Sequence, residues 1–144
     1  MKKVFVLLSV ALTMFSCSDD DDFNDGFAVS SSDLIGTWAL VVDSEDNSGI
    51  SLDDCDKLST VTFTETILTT ETFYTNDEDV CELDNSSSDN YTVSQTTITV
   101  TGDEGETDEG EILVSSDEAG TFVQMTFIIE DGVERQTTHR KVDE

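Results

Sequence analysis

Basic residues are scarce in this chain. Six Lys and Arg stand against 33 Asp and Glu over 144 residues, a formal net charge of −27. This imbalance excludes a nucleic-acid-binding surface, because phosphate contacts need cationic side chains to displace counterions. An anionic bilayer would repel the chain in the same way. Histidine occurs once, at His139, and cysteine three times. That inventory gives no zinc-ligand spacing, so neither a metal nor another cofactor is expected. Proline is absent, which excludes a polyproline linker. No internal repeat occurs, and after residue 16 no run of helical period is long enough to specify a substantial helix.

Catalytic groupings are missing as well. Nothing resembles a nucleophile elbow, and His139, among Thr138, Arg140 and Lys141, reads as a surface histidine in a strand. With 33 acidic residues some carboxylate pair always falls at a workable distance, so such pairs carry no information. The chain reads as non-catalytic. Residues 43–49 offer alternating oxygen ligands, but glycine falls one place late for an EF-hand and no helix flanks the segment. Segments 76–79 and 103–109 are acidic loops suited to loose association with divalent ions. The excess charge strains a folded state by self-repulsion, so melting is expected to shift upward in salt or millimolar calcium.

What is present begins at the amino terminus. Lys2 and Lys3 precede an apolar run over residues 4–15, then Ser16, Cys17 and the acids Asp19 to Asp22. A basic start, about a dozen apolar residues and a small residue before the cut form a secretory signal, too short to span a bilayer. The segment resembles a bacterial lipoprotein signal. That resemblance implies a signal peptide over 1–16, lipidation (palmitate among the acyl chains) at Cys17, and a membrane partner reached through this anchor alone. Residues 17–33 read as an acidic, flexible tether whose few apolar residues include Val29. Cleavage before Cys17 would leave four basic residues against 33 acids. With Cys17 taken by lipid, Cys55 and Cys81 remain as an even pair in an oxidising compartment. A bridge between them would close a loop of about 27 residues and stabilise by about 3.5 kcal/mol on the chain-entropy model.

Beyond the tether, short runs rich in Val, Ile, Thr, Phe and Tyr alternate with Asp, Asn, Gly and Ser clusters. Strands are predicted over 37–43, 60–64, 67–74, 90–94, 97–101, 111–115, 121–130 and 133–142, with residues 130–132 as a hairpin turn and 102–110 as a flexible loop. Apolar residues alternate with polar ones at Val61/Phe63, Ile98/Val100 and Val123/Met125/Phe127/Ile129. This period of two gives sheets with one buried and one wet face. The fold class is all-β, with 34–144 as one small domain. Short connections favour an eight-stranded antiparallel up-and-down barrel over a two-sheet sandwich.

The first strand opens with Leu34-Ile35-Gly36-Thr37-Trp38. This Gly-x-Trp opening, with Cys55 before the second strand and Cys81 after the third, resembles the lipocalin-like domains of Bacteroidetes lipoproteins. The acidic run after Cys17 likewise resembles the tag that sends such lipoproteins to the outer face of the outer membrane. The resemblance implies that Gly36, Trp38 and a basic residue of the last strand, matched best by Arg140 with Lys141 behind it, close one end of the barrel. Trp38 is expected to be a core residue. A pocket, if the barrel has one, would be lined by Phe63, Phe73, Val123, Met125, Phe127 and Ile129. Small eight-stranded barrels hold their own side chains or one small ligand. Two readings therefore stay open for a monomer. One is a surface lipoprotein binding a small apolar ligand or a protein; the other is a solid barrel whose acidic loops bind divalent cations or a basic partner.

Overall fold

Antiparallel pairing of consecutive segments organises the whole chain in the computed structural model, which describes residues 28–142. The signal, Cys17 and the tether up to residue 27 lie outside the described residues. A helical turn, α1 (Ser31–Leu34), leads into β1 (Gly36–Glu45) and β2 (Ser48–Ile50). A 3-10 turn (Asp56–Leu58) precedes β3 (Thr60–Phe63), β4 (Ile67–Thr75), β5 (Cys81–Ser94), β6 (Thr97–Thr101), β7 (Thr107–Asp117) and β8 (Gly120–Ile128). A second 3-10 turn (Glu130–Gly132) joins β8 to β9 (Glu134–Lys141). Neighbours in space are mostly neighbours in sequence, and β9 returns to pair with β1 from Trp38↔Lys141 to Glu45↔Arg135. Eight strands thus close a barrel, which removes the free edges an open sheet would expose. β2 is an extra strand, paired only with the far end of β1.

The departures from the sequence reading have physical causes. β2 is three exposed residues, which give no alternation to read. Residues 43–49, considered as a cation loop, are instead the β1–β2 hairpin, with Asp46 and Asn47 both at positive φ as its tight turn requires. β5 starts at Cys81 because the polar stretch 81–89 pairs with β4. The acidic loop expected over 102–110 becomes strand from Thr107, through pairing with β6. One of the tether's few apolar residues docks onto the domain. Val29 is buried and its N–H donates to the Gln95 carbonyl (2.9 Å), while Asp33 holds α1 through the Ser30 N–H (2.9 Å).

Cys55 and Cys81 form a disulfide, with Cα atoms 5.2 Å apart. The bridge ties the 3-10 turn before β3 to the start of β5. Asp53 secures the same connection: it accepts from the Cys55 and Asp56 N–H groups and from the Thr75 hydroxyl (2.7, 2.8 and 2.6 Å).

One end of the barrel is solid. Trp38, Phe63, Ile98, Ile112 and Val123 are fully buried there, with Leu34 of α1 laid beneath them. The Trp38 Nε1–H donates to the Leu34 carbonyl at 2.7 Å, so the ring also satisfies an orphan acceptor of the helical turn. Tyr91 packs edge-on against Phe63 with ring centroids 5.2 Å apart, and its hydroxyl donates to the Thr64 carbonyl at 2.7 Å.

Candidate functional site

Strand β9 brings no large apolar side chain to the barrel interior. Alternation sends Arg135, Thr137, His139 and Lys141 to one face, and these residues run from the open end down to the Trp38 plug. Lys141 lies over the Trp38 ring, its Nζ 5.3 Å from the centroid, a cation–π contact worth roughly 1 kcal/mol. The basic partner of the tryptophan is therefore Lys141 and not Arg140, which has the opposite parity and is exposed. Gly36 makes room for it, since a Cβ there would sit 3.3 Å from Lys141 Cε and its φ of +127° disfavours other residues.

Midway up the interior sits an ion pair. Arg135 Nε donates to Asp43 Oδ1 at 3.2 Å and Nη2 to Oδ2 at 2.7 Å. Asp43 is almost wholly buried while Arg135 is about half exposed, so the carboxylate depends on this fork for its charge compensation. Asp43 in turn raises the pKa of the guanidinium.

His139 is buried, at 5% exposure, and its Nδ1 has no hydrogen-bond partner. The surface position expected for it is thus corrected. The β9 run offers no apolar residue to reveal which face turns inward. Burial lowers its pKa to about 4, against a weaker opposing pull from Asp43, so the ring is neutral at physiological pH.

Around these groups the barrel is hollow. A chamber of about 240 Å³ is bordered by Asp43, Met125, Phe127, Arg135 and His139. Above it, a more open cavity of about 470 Å³ is lined by Leu68, Val100, Phe127, Ile129, Asp89 and Asp108. Leu68, Thr70, Phe127, Arg135 and Thr137 border both spaces. Phe127 can lie across β7 because its cross-strand partner is Gly110, where a Cβ would come within 2.6 Å of the ring.

Of the residues expected to line a pocket, Met125, Phe127 and Ile129 do so. Val123 and Phe63 belong to the solid end. Phe73 is corrected outright: it has the parity opposite to Leu68, Thr70 and Thr72, is half-buried, and borders neither space. The polar side chains Asp43, Arg135, Thr137 and His139 were missed. Period-two alternation of Thr and Arg with Gln and Thr over 135–138 carries no contrast in hydropathy. Among the described residues, no three His, Cys, Asp or Glu side chains gather as a metal site, and no helix is long and apolar enough to cross a membrane.

The lipocalin-like domain model matches residues 34–123. No curated protein matches the chain. Among solved structures, an uncharacterized protein from Bacteroides eggerthii is similar at 12% identity and a TM-score of 0.44, over 74% of this chain and 98% of that one. Lipocalin-like barrels are typically binding folds without catalytic activity, and the architecture here has the closed end and open cavity of such a container. With well over half of its length matched, the chain belongs to the lipocalin-like domain family.

Proposed function

We propose that this protein is a lipid-anchored, cell-surface lipoprotein of the outer membrane whose barrel binds one small, mainly apolar molecule at its open end. The observation that supports binding is the cavity of about 470 Å³ walled by Leu68, Val100, Phe127 and Ile129, within the size range of small-ligand sites. Cys17 supplies the anchor, and the acidic residues after it give the barrel reach from the bilayer. The role is capture and presentation rather than turnover.

Two experiments test the two halves. N-phenyl-1-naphthylamine, titrated into the full chain carrying Cys17→Ala so that no acyl chain competes, is expected to bind one per chain. Thr137→Trp, which fills the space shared by both chambers, abolishes that binding without lowering the melting temperature by more than a few degrees. Absence of saturable dye binding contradicts the ligand reading. In a Gram-negative host, radiolabelled palmitate incorporates into the natural chain and not into Cys17→Ala; equal labelling contradicts the anchor.

A further inference from the structure

We infer that the barrel selects aliphatic molecules with an uncharged polar head, a hydroxyl or an amide, and discriminates against fatty carboxylates. This deepens the cavity-binding reading above and rests on it. The inner chamber seats the head, because within largely apolar walls it is bordered by the uncharged polar side chains of His139, Thr70 and Thr137. His139 borders this chamber with the rest of its ring, while its unpartnered Nδ1 is sealed from the space. A neutral imidazole offers one donor and one acceptor, which a hydroxyl or amide head can meet in either sense.

A carboxylate finds no equivalent welcome. Among the described residues the one cation bordering these two spaces is Arg135, and its charge is already matched by Asp43 at Nε and Nη2. His139 stays neutral and adds no positive charge. The outer cavity carries Asp89, half-buried, and Asp108, exposed, so an entering anion passes two like charges. A carboxylate reaching the chamber would be desolvated without a free counter-charge, which is heavily penalised. Lys141 offers no compensation, because it lies over Trp38 at the solid end.

The test uses decan-1-ol and decanoate, identical in chain length, as competitors of N-phenyl-1-naphthylamine on the full Cys17→Ala chain at pH 7.5. Decan-1-ol is expected to displace the dye at a concentration at least tenfold below that needed for decanoate. The Asp89→Asn/Asp108→Asn variant raises decanoate affinity several-fold relative to that for decan-1-ol. This arm separates repulsion in the cavity from the intrinsically better partitioning of the alcohol, and neither position belongs to the buried core. His139→Phe weakens decan-1-ol at least fivefold. Decanoate binding as tightly as the alcohol, or a double variant that shifts neither ligand, overturns head-group selection while leaving the cavity reading intact. Failure of the dye and both competitors to bind overturns the cavity reading itself.

Discussion

Asp43 and Arg135 meet inside the barrel because β1 carries one extra residue. Register runs Leu40↔His139 and then Val42↔Thr138, leaving Val41 unpaired. Such a bulge shifts the alternation by one place. Trp38 and Leu40 point inward before it and Asp43 after it, while Val41 and Val42 are both exposed. Without the bulge an apolar Val42 would enter the lumen and the carboxylate would face water.

The pair predicts an asymmetric double-mutant cycle. Arg135→Leu strands a buried carboxylate and is expected to destabilise by about 3 kcal/mol. Asp43→Asn in that background restores a large part of the loss, because no unpaired charge remains. Urea denaturation of the four proteins reads the coupling, and additive effects would refute it.

His139 gives the domain an acid sensitivity. Unfolded imidazole titrates near 6.5 and the folded one near 4, so within that window the unfolded state binds more protons and falling pH favours unfolding. The contribution is complete above about pH 7 and is lost as pH falls toward 4. Between pH 7.5 and 5.0 the natural protein should lose roughly 2 kcal/mol more stability than His139→Gln. Measuring the difference cancels the acidic residues common to both.

Trp38→Ala removes the plug of the solid end together with its hydrogen bond to Leu34 and its contact with Lys141. Loss of about 3–5 kcal/mol is expected. Chemical denaturation checks it, and a variant of full stability that no longer binds ligand would place Trp38 in the binding site instead.

The Cys55→Ser/Cys81→Ser variant is expected to lose about 3.5 kcal/mol, most of it by loosening the unfolded chain. The 3-10 turn, the end of β4 and the start of β5 should then show faster amide exchange than β6–β8. Uniformly unchanged exchange would argue that the Asp53 hydrogen bonds alone hold that connection.

Legibility in the sequence followed hydropathy contrast. β6 is legible at its true limits because Ile98 and Val100 alternate with threonines, and Asp131-Gly132 marks the hairpin after β8. The first half of β5 is polar throughout and owes its strand form to pairing with β4, a tertiary effect that outweighs local propensity. β9 failed differently. Its existence is plain, but without an apolar residue from Glu134 to Lys141 it cannot show its inward face, so nothing local favours Lys141 over Arg140 or a buried His139 over an exposed one. The bulge at Val41 has no local signal, since three consecutive apolar residues, Leu40 to Val42, read equally well in either register.

Calorimetric titration of decan-1-ol into the full Cys17→Ala chain goes straight to the claim that the barrel is plugged at Trp38 and hollow above His139. One molecule per chain, with a negative heat-capacity change from apolar burial, is the predicted result. No saturable heat at any temperature, under conditions where the chain is folded and its disulfide formed, would contradict it.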